Sequence, residues 1–164
     1  MVPGGESLGG LFRIMVALGL VSVAIFALGA VTILAYAPPG QRTGLKAQVL
    51  GVYPYDPTTH EVTGGASTHF GREQAFAARV DWSSLPTGLV VGARWYNTLE
   101  EPVGGVGPAM AGALASQETV VPVKTPPGLR NNLPGSYALA VVRYSGGRPV
   151  ELLARQVVLV ERGG

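Results

Sequence analysis

The feature that most constrains this chain is an uninterrupted apolar run over residues 14–37, with no charged side chain inside it. About 20 helical residues cross a hydrocarbon core of roughly 30 Å, because each residue advances the helix by about 1.5 Å. Every backbone N–H and C=O group inside lipid must be paired within the segment, so a lone span is helical. The run therefore predicts a transmembrane helix over residues 11–37, which the Pro38-Pro39-Gly40 turn ends.

A cleaved signal peptide is the alternative interpretation of this run. Ala35-Tyr36-Ala37 has the small-x-small pattern of a signal peptidase site. The run is longer than the roughly 7–15 apolar residues typical of a signal peptide, and Pro38 is a poor residue to follow a scissile bond. We therefore expect an uncleaved signal anchor. The predicted organisation is a short tail over 1–10, the helix over 11–37, a linker over 38–43 and one domain over 44–162.

The orientation of the span depends on the positive charges at its two ends. Arg13 lies on the N-terminal side, and Arg42 and Lys46 lie on the C-terminal side, which is close to a balance. The short, glycine-rich N-terminal tail favours a cytoplasmic N-terminus. The chain also has no cysteine, and for an exported domain the absence of disulfides suggests a bacterial envelope more than an animal cell surface. The expected location is the bacterial cytoplasmic membrane, with the C-terminal domain in the periplasm.

One face of the predicted helix carries small residues at spacings of three and four. Small residues let two helix backbones approach closely, and such packing drives helix association in lipid. We expect this helix-packing face to contact other transmembrane subunits, with simple anchoring as the alternative. The face consists of Gly19, Ser22, Phe26, Gly29 and Ile33.

Charge and cysteine usage exclude several functional classes. The chain has 12 Lys and Arg against 10 Asp and Glu, and the net charge of +2 is spread without runs. It therefore has no basic patch of the kind that binds nucleic acid. The absence of cysteine excludes disulfides, thiolate zinc sites and thiol nucleophiles.

The sequence after the linker alternates apolar and polar residues with period two, between clusters of turn residues. This pattern is typical of an all-β sandwich or barrel. We expect a loop over 55–71, and we expect Tyr53, Trp82 and Trp95 to point inward on their strands. Pro122 places its strand at a sheet edge, because proline cannot donate to the ladder. The predicted strands are 45–53, 74–82, 89–96, 119–123, 137–144 and 150–161, the last two forming a hairpin.

Two features of these strands resemble the immunoglobulin and fibronectin type III families of sandwich. Trp95 lies inward on the third predicted strand, and residues 133–141 place Tyr137 where those families have a tyrosine corner. The resemblance implies one transmembrane α-helix followed by an Ig-like sandwich of six or seven antiparallel strands, with Trp82, Trp95 and Tyr137 in its core. It implies no particular function, since such sandwiches serve binding, spacing and assembly alike.

Few residues suggest chemistry. His60, Glu61 and His69, with Asp56 nearby, are the only cluster of metal-ligand types, but a zinc site needs three or four ligands in fixed geometry, so we expect a solvated loop. Ser67 stands two residues before His69 without the second glycine or the strand-to-helix setting of a nucleophile elbow. We predict no catalytic residue, metal, cofactor or small-molecule substrate.

Residues 102–115 are a long, glycine-rich segment without charge. Their glycines do not match the G-x-G-x-x-G phosphate-binding pattern. We expect a loop, and long apolar loops are often protein contacts; a loop folded over its own sandwich is the alternative. The candidate contact residues of this loop are Val103, Val106, Met110 and Leu114.

These features together predict a non-catalytic, single-pass membrane subunit of a larger assembly, such as a respiratory, photosynthetic, transport or secretion complex. Its partners would be membrane lipid and other transmembrane subunits, and its sandwich would make protein contacts. The alternative is an independent membrane-anchored binding or adhesion module. That alternative requires an aromatic or charged cluster in the sandwich loops, of which Tyr53, Tyr55 and His60 are only a faint example.

Overall fold

A computed structural model of the protein describes residues 42–116 and 119–161. All of them belong to one compact unit of the chain, Ala37–Gly164. The predicted tail, the transmembrane helix, its helix-packing face from Gly19 to Ile33 and most of the linker lie outside the described residues. Within the described ranges, no helix is long and apolar enough to cross a membrane.

Nine strands and one short helix make up the described residues. Sheet I contains four strands in the order β2-β1-β4-β7, and sheet II contains five in the order β3-β9-β8-β5-β6. The elements are β1 (Gln48–Asp56), β2 (Glu61–Val62), β3 (His69–Phe70), β4 (Phe76–Asp81), β5 (Val90–Tyr96), β6 (Pro102–Met110), α1 (Ala111–Ala115), β7 (Thr119–Pro122), β8 (Gly135–Ser145) and β9 (Arg148–Val160).

The two sheets pack face to face around one hydrophobic core, because alternate side chains of each strand point the same way. Phe76 of sheet I meets Trp95 and Tyr137 of sheet II edge to face, with ring centroids 5.6 Å apart in both pairs. The indole N–H of Trp95 also donates a 2.8 Å hydrogen bond across the core to the carbonyl of Val121. Trp82, Trp95 and Tyr137 are 1 %, 0 % and 0 % exposed.

The all-β sandwich predicted from alternation is therefore confirmed in its main strands. The segments predicted over 74–82 and 89–96 contain β4 and β5, with the expected inward positions buried. Pro122 lies in β7, at one edge of sheet I. Gly146 and Gly147 join β8 to β9 with φ of 58° and 75°, as a tight hairpin turn of this kind requires.

The number and direction of the strands differ from the prediction of six or seven antiparallel strands. β2 and β3 lie in the segment predicted to be a loop, and β3 pairs with β9 in parallel. Phe70 of β3 is buried and stacks on Phe76 with ring centroids 4.6 Å apart. A two-residue strand among turn residues has too few positions to show alternation, so the sequence pattern could not reveal it.

The prediction that Tyr53 points inward is wrong. The pairing of β1 with β4 shifts between Val49 and Gly51, which places a β-bulge there. The extra residue reverses the alternation that follows it, so Val52 is buried in the core instead. Tyr53 lies on the outer face of sheet I, where the Arg79 guanidinium is 5.7 Å from its ring centroid.

The prediction of a loop over residues 102–115 is also wrong. These residues form β6, a full strand of sheet II, and α1 directly after it. Glycine is depleted in strands and gives no apolar alternation, so a strand containing Gly104, Gly105 and Gly107 does not look like one in sequence.

Candidate protein-contact edge at strand β6

β6 is one of the two edge strands of sheet II, and among the described strands it pairs only with β5. No charged residue occurs from Pro102 to Ser116. Edge strands usually carry charges that prevent pairing with another chain. A long edge strand without charge is therefore the most distinctive surface feature among the described residues.

The candidate contact residues of this segment do not form one exposed patch. Val103 is only 6 % exposed. Val106 and Leu114 are partly buried and pack against the domain's own core. Met110 is 60 % exposed. Three of the four side chains thus fold onto the sandwich, as in the alternative interpretation of the segment. Around the exposed Gly105, the accessible part of β6 is its backbone.

The glycines of β6 allow close approach of neighbouring backbone. Gly104 has a φ of 147°, a conformation that favours glycine, and a Cβ atom there would collide with the carbonyl oxygen of Pro122. A Cβ atom on Gly105 would lie 2.6 Å from the carbonyl oxygen of Ala93. Glycine is therefore required at these positions for close packing of the backbone, and it leaves this part of the edge without side chains.

The direction of the peptide groups along β6 follows from its neighbours. A Cβ atom on Gly92 of β5 would lie 2.7 Å from the carbonyl oxygen of Val106, so that carbonyl points toward β5. The carbonyl of Val103 points away from β5, because it accepts a hydrogen bond from the N–H of Lys124. Gly104, Gly105 and Val106 pair with β5 in unbroken register, and peptide groups alternate along a strand. The direction of the Val106 carbonyl therefore places the N–H and C=O of Gly105 toward the open edge.

Two surface depressions flank the edge. The first, which we call the proline groove, has a volume of about 660 Å³ and lies between β6 and the segment that follows β7. Its lining consists of Glu101, Pro102, Val103, Gly104, Lys124, Thr125, Pro126 and Pro127.

The buried Asn97 fixes one wall of the proline groove. Its carboxamide oxygen accepts 2.9 Å hydrogen bonds from the N–H groups of Leu99 and Glu101, and its amide donates at 3.0 Å to the Glu101 carboxylate. This turn holds Glu101 in place before any partner binds.

The second depression, which we call the glycine trough, has a volume of about 210 Å³ and lies on the outer face of sheet II. Its lining consists of Ala93, Arg94, Pro102, Gly104, Gly105, Val106 and Gly107.

The exposed Arg94 is paired in register with Gly105, so its side chain stands beside a position that has none. On its other side, Arg94 of β5 pairs with Ala140 of β8. Ala140 in turn pairs with the exposed Arg155 of β9, so the two arginines lie on the same face of sheet II. No carboxylate forms a salt bridge with Arg94 or Arg155 among the described residues.

Among the described residues, the side chains of the histidines and the serine singled out in sequence make only local hydrogen bonds. His60 Nδ1 lies 3.0 Å from Tyr55 Oη, and His69 Nδ1 lies 3.1 Å from Thr68 Oγ1. Ser67 Oγ donates to the backbone carbonyl of His69, at 2.8 Å, and not to its imidazole. Within residues 42–116 and 119–161, no three His, Cys, Asp or Glu residues come together as metal ligands would.

Sequence reasoning missed a partly buried ionic cluster where the chain enters the sandwich. The Glu151 carboxylate accepts four hydrogen bonds, from Arg143 Nε, Gly44 N–H, and both the N–H and hydroxyl of Thr43, at 2.8–3.1 Å. Burial alone would raise the pKa of Glu151, but these donors outweigh it and hold the pKa below its ordinary value of 4.5. Regular pairing from the Gly146-Gly147 turn would place Arg143 opposite Val150. A bulge between Arg143 and Tyr144 shifts the pairing by one residue, so Arg143 lies opposite Glu151.

A two-sheet sandwich is a scaffold for many functions, so the fold does not identify a function by itself. No protein-family model matches the chain, and a search of curated proteins finds no match either. The uncharged β6 edge with its two depressions is the surface from which a function can be argued.

Proposed function

We propose that this protein is a non-catalytic, single-pass membrane subunit of a larger assembly, for example a respiratory, photosynthetic, transport or secretion complex. Its helix over residues 11–37 would pack on other spans through the helix-packing face. Its β-sandwich would lie on the periplasmic side of a bacterial cytoplasmic membrane and contact a partner protein. The observation that carries this proposal is the uncharged outer edge of β6.

The contact role follows from the physics of sheet edges. An edge strand presents unpaired N–H and C=O groups, and proteins protect such edges with charge, proline or a covering segment. β6 has no charge. Pro102, Pro108 and the hydrogen bond from Lys124 to Val103 protect it on either side of Gly105, and the stretch around Gly105 has none of these devices. A partner protein that covers the remaining edge would form hydrogen bonds with its unpaired N–H and C=O groups. This supports an interface at β6.

We further propose that the sandwich is immunoglobulin-like. The order β1-β4-β7 in sheet I and β9-β8-β5 in sheet II corresponds to strands A, B and E facing G, F and C of that family. Trp95 and Tyr137 occupy the core positions that the resemblance implies. One detail departs from a tyrosine corner. The Tyr137 hydroxyl is near the backbone of Leu133, yet it is buried without a hydrogen bond of good geometry.

Purification of the full chain from its native membrane in a mild detergent tests this proposal. We expect other membrane proteins to co-migrate with it in fixed proportion. A chain that migrates alone under conditions that preserve other membrane complexes contradicts the subunit role. The alternative, an independent membrane-anchored binding or adhesion module, would then be favoured.

A further inference from the structure

We infer that the β6 edge binds a short extended segment of a partner protein, which adds to sheet II beside Gly105 and places an acidic side chain against Arg94. This inference rests on the proposed function and specifies its contact. Addition of a strand to an exposed edge is a common mode of peptide recognition, in which backbone hydrogen bonds give affinity and side-chain pockets give specificity.

The backbone part of the site centres on Gly105. Its N–H and C=O point to the open edge, because the carbonyl of the next residue, Val106, points toward β5 and the register between them is unbroken. Gly105 is exposed and has no side chain to block an approaching strand. An extended segment placed alongside can therefore exchange a pair of hydrogen bonds with it, as neighbouring strands do.

The site accommodates only a short segment. On one side of Gly105, the Val103 carbonyl is already bonded to Lys124. On the other side, the pairing of β6 with β5 shifts between Val106 and Ala109, and this bulge interrupts the regular edge. A bound segment must therefore leave the edge after a few residues, and the proline groove next to Val103 offers apolar surface for the side chain that follows.

The charge of the bound segment follows from Arg94. Gly105 lies between Arg94 and the position that an added strand would take. The glycine trough, which Arg94 and Gly105 both line, is open to solvent. The guanidinium can therefore extend over Gly105 toward the outward-facing side chain of the neighbouring strand. Its planar set of donors matches a carboxylate, and no salt bridge with a described carboxylate occupies it. An aspartate or glutamate at that position of the partner supplies the missing charge.

The same reasoning disfavours a second copy of this chain as the occupant. If two β6 edges paired with each other, each Arg94 would face a segment that carries no acidic residue from Pro102 to Ser116. Both guanidinium groups would then lack a carboxylate.

The test uses the full chain in detergent micelles and two fluorescent heptapeptides of alternating threonine and valine, one with a central glutamate and one with a central lysine. Fluorescence anisotropy measures their affinity. We expect the glutamate peptide to bind the wild type, and Arg94→Glu to weaken it by about tenfold, equivalent to about 1.4 kcal/mol. Arg94→Glu should bind the lysine peptide in preference. Arg155→Glu is the matched control, since it reverses an exposed arginine on the same sheet face, and it should change neither affinity.

Two further glutamate peptides, N-methylated on alternate amides, test the backbone contact. Only one of them can direct unmethylated N–H groups to Gly105, so we expect one to bind and the other to lose binding. Equal binding of both, or equal affinity of the wild type and Arg94→Glu for the glutamate peptide, overturns the inference. A wild-type dimer that Arg94→Glu dissociates also overturns it, because the occupant would be a second copy.

Co-purification separates failure of this inference from failure of the proposed function. A wild-type chain that keeps its membrane partners while the peptides fail to bind refutes the edge site and leaves the subunit role standing. A chain that binds the glutamate peptide but has no membrane partner supports the edge site and contradicts the subunit role.

Discussion

Arg143 Nε donates a 2.8 Å hydrogen bond to Glu151 Oε2, and this pair holds the start of the sandwich against the β8–β9 hairpin. The two side chains are 14 % and 7 % exposed. Thr43 and Gly44 bind the same carboxylate, and farther along the chain Ala47 donates to the Leu153 carbonyl at 3.2 Å. The segment just after the predicted linker is thus fixed to β9 before β1 begins.

We expect Glu151→Gln to lower the free energy of unfolding by about 2 kcal/mol, because hydrogen bonds to a charged group are each worth about 1.5–3 kcal/mol and the amide keeps only part of them. Chemical denaturation at neutral pH, monitored by tryptophan fluorescence, measures this change. Glu73→Gln is the control, since that carboxylate is exposed. Equal losses in the two variants would show that the cluster around Glu151 adds no stability.

The same carboxylate predicts a pH dependence. The pKa of Glu151 is lower in the folded protein than its ordinary value of 4.5, so the unfolded chain binds its proton more readily. The stability that Glu151 contributes is therefore present above about pH 4.5 and is lost as the pH falls through the folded pKa.

Denaturation of the wild type and Glu151→Gln from pH 7 to pH 3 measures this contribution. Hydrogen bonds from the backbone of Thr58 and Ser83 also lower the pKa of Asp56 and Asp81, so only the difference between the two proteins reports Glu151. That difference should shrink as the solution becomes acidic. A constant difference down to pH 3 would contradict the prediction.

Trp95→Ala tests the core of the sandwich. We expect a loss of about 3–5 kcal/mol, the usual cost of deleting a large buried aromatic side chain. The variant also loses the cross-core hydrogen bond to Val121. Thermal denaturation followed by circular dichroism checks this, with Leu99→Ala as a control at a position that is 64 % exposed. A melting temperature unchanged by Trp95→Ala would contradict the core assignment.

Much of this core was predictable because apolar and polar residues alternate in sequence wherever the strands are regular. Phe76, Val80 and Trp95 all point inward as period two requires. The prediction failed at irregular places: the bulge near Gly51 moved Tyr53 outward, and the parallel pairing of Phe70 joins residues far apart in sequence. Pairing partners and bulges depend on the whole sheet, so local pattern does not encode them.

The candidate site was predicted only in part. The absence of charge over residues 102–115 is visible in sequence and made this segment a candidate contact. Its glycines gave no sign of a strand. The position of Arg94 beside Gly105 and the hydrogen bond from Lys124 to Val103 depend on neighbours that are distant in sequence. The sequence therefore predicted a contact through the side chains of this segment. In the structure most of those side chains pack on the sandwich, and the backbone around Gly105 is exposed.

Val106→Asp and Met110→Asp distinguish the two sides of this segment. Val106 packs against the core, so a carboxylate there would be buried without a partner and should lower the melting temperature markedly. Met110 is largely exposed, so the same charge there should leave the melting temperature nearly unchanged. Circular dichroism melting of both variants measures this. Equal melting temperatures would contradict the inward position of Val106.

Gly29→Leu tests the helix-packing face, which the prediction derives from sequence alone. The larger side chain keeps the span apolar but prevents close approach of another helix, so we expect normal membrane insertion and reduced recovery of partner proteins in detergent. Val31→Leu is the matched control. Two residues along a helix correspond to a rotation of about 200°, which places position 31 on the opposite side. Partner recovery measured by quantitative mass spectrometry should fall for Gly29→Leu and stay at the wild-type level for Val31→Leu. Equal recovery from both variants would mean that the helix only anchors the sandwich, and any assembly would then depend on the β6 edge.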